Sequence, residues 1–101
     1  MQIQMNTGHN IKADEALRTE VRGTVQSVLG QFFKHIRRVD VHLSDVNTTA
    51  DKHCRMEVRL EGRRPMAVTY RAASCSHAVD GAAGKLTRLI EKALGGAVSN
   101  R

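Results

Sequence analysis

The sequence predicts an α+β fold: a two-layer α/β sandwich in the order β-α-β-β-β-α, with a four-stranded mixed sheet and two helices on one face. Three observations predict it. Four short segments alternate apolar and polar residues with period two, while two longer segments repeat apolar residues three and four apart. Each strand carries only one apolar face, so both helices must cover the same side and leave a polar sheet face open. The length of 101 residues fits one domain, expected over residues 1–96 with a flexible tail at 97–101.

Residues 1–6 set Met1, Ile3 and Met5 against Gln2, Gln4 and Asn6, which reads as a strand, and Thr7-Gly8-His9-Asn10 is a turn-forming cluster. Over 13–34, Leu17, Val21, Val25, Val28, Leu29 and Phe32 draw one helical stripe, with Asp14 and Glu15 in its first turn and Lys34 near its end, as the helix dipole favours. Residues 36–45 read as a strand with Val39, Val41 and Leu43 inward and Arg38, Asp40 and His42 outward. A polar connection over 45–51 follows. Residues 52–61 alternate most cleanly, with Cys54, Met56, Val58 and Leu60 facing one way and Arg55, Glu57, Arg59 and Glu61 the other. After the turn Gly62-Arg63-Arg64-Pro65, a strand over 66–72 puts Met66, Val68 and Tyr70 inward. A second helix over 76–94 lines Val79, Ala82, Ala83, Leu86, Leu89, Ile90 and Ala93 on one face; Ser74 or Ser76 caps it and Gly95-Gly96 stop it. The first crossover requires a parallel strand pair joined right-handedly by helix 1, and the last three strands form an antiparallel meander.

Charge narrows the partners. Sixteen basic and ten acidic side chains leave a net +6. Residues 1–51 carry six of each, so the excess sits entirely in residues 52–101, with ten basic and four acidic. A basic domain of this kind suggests a polyanion, nucleic acid first, against the bland reading of a merely soluble basic protein. Only Phe32, Phe33 and Tyr70 are aromatic. Single-strand binders stack bases on exposed rings, so this chain is expected to read phosphates and shape. No window approaches the roughly 18 apolar residues of a membrane span, and the N-terminus has no basic lead or apolar run, which makes a cytoplasmic location the expectation. Two cysteines without a CxxC pair make a structural disulfide unexpected there.

The second helix holds the most informative pattern. Lys85, Arg88 and Lys92 fall within about 60° of one another beside the apolar face, with Asp80 and Glu91 on the other flank. Such a column can follow a phosphate backbone; the competing reading is a solvated helix face. Arg18 and Arg22 form a smaller pair on helix 1 with Glu15 near them, and Lys34, His35, Arg37 and Arg38 cluster where helix 1 meets strand 2; Lys34, Arg37 and Arg38 join Arg18 and Arg22 as further candidate RNA contacts. Arg63-Arg64 reads as ordinary turn polarity, and Arg55 and Arg59 as cross-strand partners of Glu57 and Glu61. Enzyme chemistry is not expected. Cys75-Ser76-His77 puts a thiol near an imidazole without an orienting third group. A zinc site from His53, Cys54, Cys75 and His77 lacks closed-site spacing, and adjacent His53 and Cys54 point to opposite strand faces. Gly81-Ala82-Ala83-Gly84-Lys85 lies within a helix pattern and is no phosphate loop. No metal, cofactor or small-molecule substrate is expected.

In the element order just given, the chain resembles the ribosome hibernation-promoting factor family, also called ribosome-associated inhibitor or sigma-54 modulation proteins, in its short form. Met1-Gln2-Ile3 and Thr7-Gly8-His9-Asn10, Glu15-Ala16-Leu17-Arg18, Asp45-Val46-Asn47 with Asp51-Lys52-His53-Cys54-Arg55, and Ala78-Val79-Asp80 with Lys85-Leu86 carry the likeness over residues 1 to about 94. The resemblance implies a domain that binds small-subunit ribosomal RNA in the channel of mRNA and tRNA and holds idle ribosomes inactive. It points to Lys85 and Arg88, then Arg18, Arg22 and Lys92, as RNA contacts. His77 stands where members often have an aromatic residue, a basic stretch after helix 2 is replaced by Ala93-Leu94-Gly95-Gly96, and the Thr48-Thr49-Ala50 loop lacks glycines often seen there. The alternative function is a protein-interaction module that uses the open sheet face or an edge strand without RNA, with self-association in either case left open.

Overall fold

The computed structural model describes residues 1–8, 10–46 and 51–95. Four strands, β1 (Gln2–Thr7), β2 (Ile36–Asp45), β3 (Lys52–Leu60) and β4 (Met66–Ala72), form one sheet in the order β1-β2-β3-β4, with helices α1 (Glu15–Leu29) and α2 (Cys75–Ala93). β1 and β2 are parallel and the remaining pairs antiparallel. This is the predicted two-layer sandwich. α1 lies over β1, α2 over β3 and β4, and the helices pack on each other. Both helices run back toward the end of the sheet that holds the β3–β4 hairpin, because α1 must return to the start of a parallel strand and α2 follows β4 directly. The expected turns at Thr48-Thr49-Ala50 and Gly96, and the tail over 97–101, lie outside the described residues.

The core is made by the predicted stripes. Val39, Val41 and Leu43 of β2, Cys54, Met56 and Val58 of β3, Val25 and Leu29 of α1, and Leu86 and Ile90 of α2 have no exposed surface. Alanines at 78, 82 and 83 are also sealed, so α2 sits close to its neighbours. No polar or charged side chain is buried among the described residues, which keeps their charges at the surface.

Each helix opens on a side-chain cap. Asp14 Oδ1 accepts from Leu17 N–H at 2.9 Å, and Ser74 Oγ accepts from His77 N–H at 3.2 Å. The cap of α2 is therefore Ser74. Ser76 instead donates to Glu20 Oε2 and ties α2 to α1. Asp14→Ala and Ser74→Ala are each expected to cost about 1 kcal/mol, and Ser76→Ala less, read as shifts in a urea midpoint with the slope unchanged.

Three local expectations need correction. Helix 1 ends at Leu29, and Gly30–Phe32 form a 3₁₀ turn. That turn eclipses residues three apart, so Leu29 and Phe32 enter the core together while Phe33 is 58% exposed. Lys34 consequently lies beyond the helix, in the turn before β2. Leu89 is 36% exposed because it sits between the apolar seam and the cationic flank of α2. Tyr70 faces the helix layer, but from the edge strand, and 40% of it is exposed.

Candidate nucleic-acid interface

Lys85, Arg88 and Lys92 project from the α2 flank that overhangs β4, and all three are exposed. Lys85 Nζ donates to the carbonyl of Thr69 at 2.8 Å and stands 6.0 Å from the centre of the Tyr70 ring. None of the three pairs with a carboxylate among the described residues. Their charge is directed outward and uncompensated. Beneath Lys85 lies the ring of Tyr70, packed against a glycine of α2. A Cβ at Gly81 would come within 2.2 Å of the ring. Backbone and ring thus meet where any side chain would separate them, and Lys85 rests on the result.

This arrangement is measurable, because Tyr70 is the one tyrosine and tryptophan is absent. Gly81→Ala is expected to swing the ring off α2 and loosen Lys85, changing tyrosine fluorescence and its quenching. Stability should move by less than about 1 kcal/mol, since helix propensity gains roughly what the displaced ring loses. An unaltered spectrum would mean that the ring does not rest on α2.

The remaining predicted cations lie elsewhere. Arg18 and Arg22 flank a groove of about 310 Å³ between α1 and β1, at the opposite edge of the sheet from Lys85, and Arg18 Nε donates to the carbonyl of Ala13 at 3.3 Å. Arg37 and Arg38 open β2 at the hairpin end, with Lys34 exposed in the turn just before them. The structure therefore brings together Lys85, Arg88 and Lys92 as one group, Arg18 and Arg22 as a second, and Arg37 and Arg38 as a third.

The sequence profile of the Sigma 54 modulation protein / S30EA ribosomal protein family matches residues 5–95. The chain belongs to this family. Two solved structures share the fold. The Thermus thermophilus Protein Y N-terminal domain is 19% identical with a TM-score of 0.75, over 91% of this chain and 98% of that one. A ribosomal subunit interface protein from Coxiella burnetii is 18% identical with a TM-score of 0.81, over 94% and 99% respectively. No curated protein matches the sequence.

In this family member two surface features go beyond what the sequence predicts. Two of its three aromatic rings, Phe33 and Tyr70, reach the surface, and Tyr70 of β4 lies next to Lys85 of α2. The arginines set aside as turn and cross-strand polarity, Arg59, Arg63 and Arg64, line one groove with Arg37 and Arg38. Arg55 does approach Glu57, at 3.9 Å. Arg59, however, stands directly opposite Arg38 and meets no carboxylate among the described residues.

The cysteines are both free. Burial, reinforced by the neighbouring Cys75, pushes the Cys54 thiol up to about 12 from its ordinary 9.0. Burial also raises Cys75, against the pull of the Lys52 ammonium. His77 does not turn to the thiol: its Nδ1 is 3.1 Å from Ser74 Oγ. At pH 8 the folded protein is expected to release one equivalent slowly to a thiol reagent, from Cys75, and the second only after unfolding. The unfolded chain loses the Cys54 proton above about 9 while the folded chain retains it, so stability is present below that pH and falls as pH climbs toward 12.

Proposed function

We propose that this protein is a non-enzymatic ribosome-associated inhibitor of translation. It binds ribosomal RNA of the small subunit in the channel of mRNA and tRNA and stabilises inactive ribosomes by steric occlusion, in the cytoplasm where ribosomes work. Family membership supplies the setting. The observation that carries the reading is the uncompensated column Lys85, Arg88 and Lys92 on α2, with Lys85 anchored over Tyr70 at the edge of the sheet. Over two helical turns it spans about 10 Å, a length over which an RNA strand presents two successive phosphates. Such contacts carry position and affinity without base identity. Tyr70 adds one ring face for a base beside that track.

The interaction-module alternative has less support. Pairing of a second chain along β4 needs free edge carbonyls, and Lys85 already occupies that of Thr69. The open sheet face is polar and partly self-paired through Arg38–Asp40 at 3.0 Å and Arg55–Glu57 at 3.9 Å.

The deciding experiment is competition on purified small subunits. Excess protein is expected to block binding of mRNA and initiator tRNA, and prior loading of both is expected to slow its own binding. Simultaneous occupancy by all three would refute steric occlusion. Sedimentation of a stationary-phase lysate, with detection of this chain in ribosomal fractions that lose it at high salt, tests the association itself.

A further inference from the structure

A groove of about 660 Å³ opens at the hairpin end of the sheet, and five arginines line it: Arg37, Arg38, Arg59, Arg63 and Arg64. They arrive from three places in the sequence. In β2, Ile36 and Val39 are both buried although three residues apart. A bulge between Ile36 and Arg38 accommodates the odd spacing and turns two consecutive arginines outward, as bulges do. The β2–β3 register then sets Arg38 opposite Arg59 on the open face. Gly62, at φ +72, lets the hairpin reverse and brings Arg63 and Arg64 to the rim.

The groove holds more positive charge than the fold neutralises. Arg38 is met by Asp40 at 3.0 Å and by Gln4. Arg37 lies 3.7 Å from Glu61, with both side chains largely in water, so that pair is weak. Arg59, Arg63 and Arg64 have no acidic partner among the described residues, and no carboxylate lines the groove. Like charges directly across a strand pair disfavour the sheet. A multivalent anion between them reverses the sign of that interaction.

We propose that this groove is a binding site for a phosphate cluster, two or more phosphoryl groups presented close together. Guanidinium forks bind phosphate oxygens in bidentate fashion and keep their charge at every physiological pH. Five of them exceed what one phosphate can engage. The volume falls within the range of sites for small ligands, and no aromatic ring lines it, so recognition rests on the phosphates and not on a base. Adjacent phosphates of an RNA backbone and a free oligophosphate such as a nucleoside polyphosphate share this chemistry. The site opens on the sheet face away from α2, so it does not rest on Lys85 and Arg88, while Arg37 and Arg38 also stand among the cations expected from the sequence to contact ribosomal RNA.

The test is calorimetric titration of the full chain with inorganic triphosphate. Arg59→Ala with Arg64→Ala, two exposed positions, is expected to weaken binding by about tenfold or more, the loss of at least one charge-assisted contact. Arg59→Lys with Arg64→Lys should recover part of it, since charge returns without the fork. Lys85→Ala with Arg88→Ala should leave it within about twofold, because those side chains lie on the other layer. A urea midpoint close to the parent's confirms that each variant is folded. The proposal is overturned if the parent binds triphosphate no more tightly than sulfate, or if the arginine-to-alanine pair binds it as well as the parent. A short single-stranded RNA added to the loaded protein separates the sources: displacement of triphosphate assigns the site to an RNA backbone, retention assigns it to a free oligophosphate, and either result supports a phosphate-cluster site.

Discussion

Lys85→Glu combined with Arg88→Glu is expected to abolish co-sedimentation with small ribosomal subunits at physiological salt. The effect is large because two favourable contacts become two repulsive ones, while the release of condensed counterions that each contact supplied is lost as well. With about five phosphate contacts, the parent should show a log–log salt dependence near −4, and removal of two contacts should flatten it by nearly 2. Both side chains are exposed, and Lys85 gives up a bond to an exposed carbonyl and a distant contact with the Tyr70 ring, so stability should change by about 0.5 kcal/mol or less. That separation of effects makes the result interpretable. A variant with parental stability and parental ribosome binding would show that the α2 flank is not the interface. Loss of binding with an unchanged salt slope would mean that the mutations act on something other than phosphate contacts.

The second large effect concerns the adjacent phenylalanines. Phe32→Ala is expected to cost about 3–5 kcal/mol, a large share of the roughly 5–15 kcal/mol that holds a domain together. Phe32 is the largest fully buried side chain and closes the core where α1 gives way to β2. Its removal opens a cavity bounded by elements that cannot collapse independently. Phe33→Ala, one residue on and 58% exposed, should fall within about 0.5 kcal/mol of the parent. Urea denaturation of the two single variants measures the contrast directly. Equal costs would mean that the 3₁₀ turn does not divide the pair between core and solvent.

Legibility along the chain followed the range of the interaction involved. Strand β4 and most of β2, β3 and α2 could be read from periodicity, because whether a side chain faces the core depends on its immediate neighbours in sequence. The column Lys85, Arg88 and Lys92 was visible for the same reason: helical geometry alone puts those positions on one flank. The arginine groove was not. It joins Arg37 and Arg38 to Arg59 across β2 and β3, and the connection over residues 46–51 does not dictate their register. One signal was present. Ile36 and Val39 break the two-residue alternation of β2, which marks a bulge and two adjacent outward arginines. The end of α1 departs from the periodic expectation because Leu29 and Phe32 suit an α-helical stripe and a 3₁₀ turn equally well.

The amino-acid order alone determined the element sequence, the single apolar face of each strand and helix, the concentration of positive charge in residues 52–101 and the cationic flank of α2. These are properties of short segments with fixed backbone periods. Tertiary structure decided which charges are neighbours. It separated Arg18 and Arg22 from Lys85 by the width of the sheet, gathered five arginines from three segments into one groove, and laid Tyr70 on Gly81 beneath Lys85. Those proximities depend on register, a bulge and helix-to-sheet distance, all of which are set by the packing of the whole core.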